Sequence, residues 1–299
     1  MNSTITKRKS ALLSDLGLFY AAAIWGSTFF IVKDALSGVD PIVMVGYRFL
    51  LAGVVMLFFV TTTGRNMLTG VGRALFLSVI LSALYISQTV GLKFTTASNS
   101  GFITGLFVFF TPLLLRWLFK SKPTLMEWIG SLLSLAGLWV LTGGLHEVNF
   151  GDTLTLVAAF TYALHVLYSD KYMKAGVDPY VISCQQFLLV GIISVIVGWV
   201  SGASFSIGSM RVGWVIVFLA LGPSLSAFVI QMLAQRITTP VKVTLIFALE
   251  PVFAALFAWT LGGEELIMHR ALGGLLIALA LALSGLRSPK ILTRFKKQR

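Results

Sequence analysis

Residues 36–53 read LSGVDPIVMVGYRFLLAG, and residues 174–191 read KAGVDPYVISCQQFLLVG. The GVDP turn and the FLL-x-G run behind it recur 138 positions apart (174 − 36) in a chain of 299 residues, so the chain reads as a duplicated unit. Fainter matches extend the duplication. Tyr85, Gln88, Lys93 and Thr95 correspond to Phe228, Gln231, Arg236 and Thr238 at an offset of 143, and Pro112 corresponds to Pro251. The number of spans in each copy sets their relation, because an odd number turns the second copy upside down in a membrane.

Composition places those copies in a bilayer. The chain is 57% hydrophobic and 11% charged, with a mean hydropathy of +0.91, outside the range of soluble globular domains. A hydrocarbon core of roughly 30 Å needs about 20 apolar residues to cross it. Runs of that kind lie at Leu16–Val32, Ile42–Val60, Ala74–Leu92, Gly101–Phe119 and Trp128–Leu145, five in the first half. Five more lie at Leu154–Tyr172, Val181–Val200, Val212–Ala234, Val243–Leu261 and Ala271–Leu286. The expected fold is therefore an all-α integral membrane protein of ten helices, built from two five-helix inverted repeats, 1–145 and 146–299, around a central cavity. The first run has a polar, basic leader (Lys7, Arg8, Lys9) and no small-residue cleavage site, so it is expected to be retained.

Charge orients the spans. With both tails in the cytoplasm, that side collects Lys7, Arg8, Lys9, Arg65, Arg73, Arg116, Lys120, Lys122, Lys171, Lys174, Arg236, Lys242 and the basic run from Arg287 to Arg299. The other side keeps only Lys33, Lys93, Arg211 and Arg270, an asymmetry that decides orientation under the positive-inside rule. The net charge of +12 is thus assigned to lipid headgroups and topology rather than to nucleic acid. A single cysteine, Cys184, excludes an internal disulfide and argues against a thiolate metal site; no metal or other cofactor is expected.

The segments IWGSTFFIVK (24–33), YRFLLAG (47–53), TTASNSGFITGL (95–106) and ALEPVFAALFAWTLGGEEL (248–266), followed by Gly273, resemble in order and spacing the EamA family of the drug/metabolite transporter superfamily. Within it the chain looks most like the YddG-type amino acid exporters of bacterial inner membranes. The resemblance implies ten helices, cytoplasmic termini, a cavity between the copies and export of small metabolites. Glu264 and Glu265 have no counterpart in the first copy, where Lys120, Ser121 and Lys122 stand, so no role for that acidic position carries over.

The candidate cavity lining comes from polar stripes on apolar helices. Ser78, Ser82, Tyr85 and Thr89 share one face of the third span, with Gln88 beside it, and Ser224, Phe228, Gln231 and Gln235 share one face of the eighth. Such groups face protein or water, because lipid leaves them unsatisfied; interhelical hydrogen bonding is the competing role. The sixth span carries Tyr162, His165 and Ser169, and His165 reads either as a neutral, bonded histidine or as a substrate or proton-coupled group. Trp25 offers a flat wall or simply fills space.

Glu250 lies within the ninth span, where insertion of a charge costs about 3 kcal/mol, so it should face the interior, pair or stay protonated. Pro251 beside it favours a bend, and with it a gating or substrate site. Arg48 is expected to snorkel toward the nearer interface, in a structural role. Gly101 and Gly105 read as a close-packing pair, with Asn99 and Phe102 beside them at the cavity mouth. The fifth and tenth spans, poor in polar residues, read as peripheral supports or a dimer contact.

These residues suit a small-molecule substrate held by aromatics and amides. Neutral and aromatic amino acids fit best; efflux of lipophilic cations, with Glu250 as counter-charge, is the alternative, and a passive channel a further one. An intramembrane enzyme would need a nucleophile with its base, a metal cluster or paired acids, and no such set occurs in the spans. The substrate range, energy coupling and oligomeric state are left open.

Overall fold

Asp40 and Asp178, the acids of the two GVDP strings, do the same work in both copies. Each precedes a proline that cannot donate an N–H, and each carboxylate takes the orphan amides that follow. Asp40 Oδ1 accepts from Ile42 (2.9 Å) and Val43 (3.4 Å), and Asp178 Oδ1 from Tyr180 (2.9 Å) and Val181 (3.3 Å). These caps start α3 (Pro41–Thr62) and α9 (Pro179–Val200).

The repeated FLL-x-G run explains how those two helices meet. A Cβ at Gly53 would lie 2.9 Å from the backbone nitrogen of Leu188, and a Cβ at Gly191 would lie 2.8 Å from that of Leu50. The contact is reciprocal: each leucine of one copy sits on the glycine of the other.

The computed structural model describes residues 2–142, 144, 149–260 and 268–285; Glu264, Glu265 and the basic run from Arg287 to Arg299 lie outside the described residues. Among the described residues the chain is helical, with no strand. The first rod is α1 (Asn2–Gly26) with α2 (Thr28–Ala35), followed by α3 and α4 (Val71–Gly91). A fourth rod joins α5 (Ala97–Gly105) to α6 (Phe107–Trp117), and α7 (Leu125–Thr142) closes the first half. The second half runs through α8 (Phe150–Lys174), α9, and α10 (Met210–Leu219) joined to α11 (Ala227–Gln235) by a π-helical turn, Ala220–Ser226. It ends with α12 (Pro240–Phe247), α13 (Glu250–Thr260) and α14 (Met268–Gly285).

Eight of these rods are long and apolar enough to cross a membrane, where the sequence suggested ten. Within the described residues, Leu125–Leu141 and Ala271–Leu283 are the shorter apolar stretches, and they lie in α7 and α14, helices of 18 residues each that extend about 27 Å. They are the fifth and tenth spans of the sequence reading, and they pack on each other: a Cβ at Gly137 would lie 2.9 Å from the Gly273 carbonyl oxygen.

Four rods are interrupted in mid-course. The first breaks at Ser27, where Ser27 and Thr28 hydroxyls donate back to the Ile24 and Trp25 carbonyls, both at 2.7 Å. The fourth breaks at Leu106, and the eighth loosens into the π turn around Pro223. The ninth breaks at Ala248–Leu249, where Pro251 leaves the Phe247 carbonyl without its helical donor. Irregular backbone at this depth is tolerated only where protein covers it. Gly26 supplies that cover, with its α-carbon pressed against the Glu250 carbonyl and a Cβ there only 3.1 Å from the Ala254 nitrogen.

At the end of the bundle that carries Ser10, ion pairs tie the two halves together. Lys242 meets Asp15 at 2.7 Å, and Arg65 pairs with Asp178 while lying over the Tyr180 ring. We call this the tail end.

Candidate functional site

Phe228 sits at the centre of the bundle, with its ring 2% exposed. It is surrounded because the eighth-span stripe faces inward, as the sequence pattern required. Ring centroids lie at 5.2 Å for Trp25, 5.9 Å for His165, 6.0 Å for Tyr85, 6.2 Å for Phe187 and 6.4 Å for Phe49. Trp25 extends the cluster to Phe247 (4.8 Å) and Tyr162 (6.2 Å), and Tyr162 reaches Phe107 at 4.4 Å. The Trp25 indole N–H donates to the Pro223 carbonyl at 2.7 Å, so the ring is fixed to the π turn.

One basic and one acidic side chain flank this cluster. Arg48 does not snorkel to the interface; it is 4% exposed and turned inward. Its Nε donates to the Ser224 hydroxyl and its Nη2 to the Tyr85 hydroxyl at 3.5 Å, with the guanidinium carbon 4.6 Å from the Tyr85 ring centre. Depth alone suggested an interfacial side chain, but partners from α4 and the π turn, invisible in a linear reading, hold it inside.

On the other side Glu250, also 4% exposed, accepts from the Tyr162 hydroxyl at 3.2 Å. Arg48 and Glu250 form no ion pair with each other. Ionisable residues buried without a charged partner are costly when ionised, and in membrane proteins they mark candidate functional sites.

Toward the tail end the cluster gives way to amides and hydroxyls that lack partners. His165 Nε2 pairs with Gln186 Oε1 at 2.8 Å, while its Nδ1 has no hydrogen bond. Gln231 is fully buried with both amide atoms unpaired, and the hydroxyls of Ser82 and Ser169 are unpaired too. Gln88, the first-copy counterpart of Gln231, is different: its Nε2 donates to Thr104 Oγ1 at 3.0 Å. Gln231→Leu is therefore expected to raise the melting temperature, since it removes an unsatisfied buried amide worth about 1–3 kcal/mol, whereas Gln88→Leu should lower it by orphaning Thr104. Thermal unfolding of the two purified variants checks the opposite signs.

Of the residues singled out in the sequence, Trp25, Tyr85, Tyr162, His165, Phe228, Gln231 and Glu250 meet at or beside the cluster. Gln88 is bound to α5. Phe102 packs on Trp139 of α7 at 5.9 Å, away from the centre. Asn99 lines a separate pocket at the end opposite the tail. The glycine pair divides: a Cβ at Gly105 would meet Leu138 at 2.8 Å, while buried Gly101 has nothing within 4 Å in that direction, so only Gly105 is a packing glycine. Arg48, Phe49, Gln186 and Phe247 belong to the site but were not read as lining, whereas Ser224 stands in the eighth-span stripe. The Arg48–Gln186 alignment across the repeat was the available signal, because both positions prove to carry polar partners.

A model of the EamA-like transporter family matches residues 12–143 and again 149–286. The chain is similar to an uncharacterized transporter of Archaeoglobus fulgidus, 32% identical over 281 residues that cover 92% of this chain and 87% of the relative. It is also similar to the uncharacterized inner membrane transporter YedA of Escherichia coli strain K12, at 28% identity over 90% of each chain. A probable amino-acid metabolite efflux pump of the same strain is 27% identical over 59% of this chain and 58% of its own length. A crystal structure at 18% identity superposes with a TM-score of 0.79 over 91% of this chain and 96% of the other, a likeness of fold.

Proposed function

We propose that this chain, which belongs to the EamA-like transporter family, exports small zwitterionic metabolites, foremost neutral and aromatic amino acids, by alternating access around the Phe228 cluster. The observation that carries this reading is the pair of buried ionisable side chains, one basic and one acidic, that do not pair with each other across an aromatic core. Arg48 suits a carboxylate, Glu250 an ammonium, and the rings between them an apolar side chain. The efflux pump named for amino-acid metabolites points to the same class.

The cycle we assign uses the two halves as inverted five-span units, 1–145 and 146–299, with α7 and α14 completing ten spans. The reciprocal Leu50–Gly191 and Leu188–Gly53 contacts favour a twofold relation between the halves. We place the tail end in the cytoplasm of a bacterial inner membrane. There the Lys242–Asp15 and Arg65–Asp178 pairs would hold the inner side shut, and their opening would hydrate Gln231, Ser82 and Ser169.

Efflux of lipophilic cations is the second reading, favoured by Glu250 among aromatic faces; the inward Arg48 opposes it, because an unneutralised guanidinium repels a cation. The deciding experiment is counterflow in proteoliposomes loaded with unlabelled phenylalanine, methionine or threonine and given the labelled amino acid outside. Saturable accumulation is expected. Flux without saturation or counterflow would make the protein a channel, and none at all from folded protein would remove amino acids from consideration.

A further inference from the structure

A pocket of about 510 Å³ opens at the end opposite the tail, lined in part by Lys33, Lys93, Phe94, Asn99 and Asn149. Its electrostatics favour an anion from several directions. The N-terminal ends of α5 and α8 both reach it, through the capping residues Thr96 and Asn149, and helix N-termini carry partial positive charge. The Lys33 ammonium is held by the Leu92 and Thr95 carbonyls, which fix its position, and it forms no ion pair among the described residues. Lys93 is exposed and makes no ion pair among the described residues. Among the described residues the nearby acid is Asp152, whose carboxylate accepts from the Asn149 backbone N–H and the Thr95 hydroxyl rather than pairing with either lysine.

Asn99 points to what the pocket lacks. It is 6% exposed, it lines the pocket, and its side-chain amide makes no hydrogen bond among the described residues. Buried amides are ordinarily paired, so an unpaired one facing a cationic pocket is a waiting donor. The Phe94 ring, set edge-on against Phe150 at 5.6 Å, adds an apolar wall. A bare inorganic anion or a lipid phosphate would make no use of that wall.

We infer that this pocket is a second binding site, separate from the Phe228 cluster, for a small carboxylate that carries an apolar body. The carboxylate takes the Asn99 amide N–H and the Lys33 and Lys93 charges, and the body lies along Phe94. The site does not depend on what the central cluster carries.

Lys93 reports its occupancy. Protein in lipid-free detergent is treated with limiting sulfo-N-hydroxysuccinimide acetate, and acetylation of Lys93 is followed by mass spectrometry, with exposed Lys122 at the other end as internal reference. Near-saturating 3-phenylpropionate is expected to slow Lys93 acetylation about fivefold or more, as occupancy of a single site dictates, and to leave Lys122 unchanged, while 3-phenylpropanol has no effect. Asn99→Leu should abolish protection at an unchanged melting temperature, and Arg48→Gln should preserve it, which separates this site from the central one. Equal protection by phosphate or chloride at matched ionic strength would overturn the proposal in favour of an unselective basic patch. Protection only in nanodiscs containing phosphatidylglycerol would reassign the pocket to a lipid headgroup, and no protection by any of them would remove the site.

Discussion

Glu250→Gln is expected to raise the half-saturation concentration for phenylalanine in proteoliposomes about tenfold to a hundredfold, and to leave that for 3-phenylpropionate unchanged. A hydrogen bond to a charged group contributes about 1.5–3 kcal/mol, and each 1.4 kcal/mol is a factor of ten. Glutamine keeps an oxygen for the Tyr162 hydroxyl, so the 3.2 Å bond that holds position 250 in place survives while the charge is lost. Arg48→Gln is expected to do the reverse: it weakens phenylalanine and 3-phenylpropionate together and spares phenethylamine, which has no carboxylate. The cation-efflux reading predicts a different pattern, with lipophilic cations lost on Glu250→Gln, improved on Arg48→Gln, and amino acids indifferent to both. Equal losses for all three solutes in either variant would show a structural role only, and unchanged transport in both would sink the zwitterion reading. Melting temperatures of the two variants keep a folding defect from passing as a binding one.

How far this site was legible depended on the kind of signal. The stripes at Ser78–Thr89 and Ser224–Gln235 were readable because a spanning helix can bury polar groups on one face only, and that face had to be internal. The same rule found Tyr162 and His165. Arg48 was misplaced because its depth in the second span is a property of one helix, whereas its direction is set by Ser224 and Tyr85, from two others. Phe49, Phe107 and Phe247 carry no polar mark, so nothing in the sequence separates them from lipid-facing phenylalanines such as Phe58, which is 72% exposed. The breaks divide similarly. Pro223 and Pro251 announce two of them, while the break at Ser27 has no proline near it and the one at Leu106 lies six residues ahead of Pro112.

Gly53→Ala and Gly191→Ala are each expected to destabilise the protein by about 3 kcal/mol, the upper part of the range for overpacking a tight contact. A single added methyl meets backbone in both cases: the Leu188 nitrogen at 2.9 Å from one and the Leu50 nitrogen at 2.8 Å from the other. Backbone in the middle of a helix cannot swing aside as a side-chain end can, so α3 and α9 must separate along the whole crossing. Trimming the neighbour does not help, and Leu188→Ala is expected not to rescue Gly53→Ala. Gly101→Ala serves as the contrast. Its added methyl meets open space, and alanine is favoured over glycine in a helix interior by about 0.5–1 kcal/mol, so the same chemical change should stabilise or be neutral there. Cys184, the single cysteine, is fully buried in α9 with its thiol 3.8 Å from the Gly53 carbonyl, so a thiol-reactive fluorogenic dye reads the opening of this interface directly during a melt. Matched losses at 53 and 191 are what a twofold relation between the halves demands, because each substitution breaks the mirror of the other's contact. A large loss at one position and none at the other would mean that the repeated FLL-x-G run records common descent without a shared packing role, and the inverted-repeat transport cycle would lose its main geometric support.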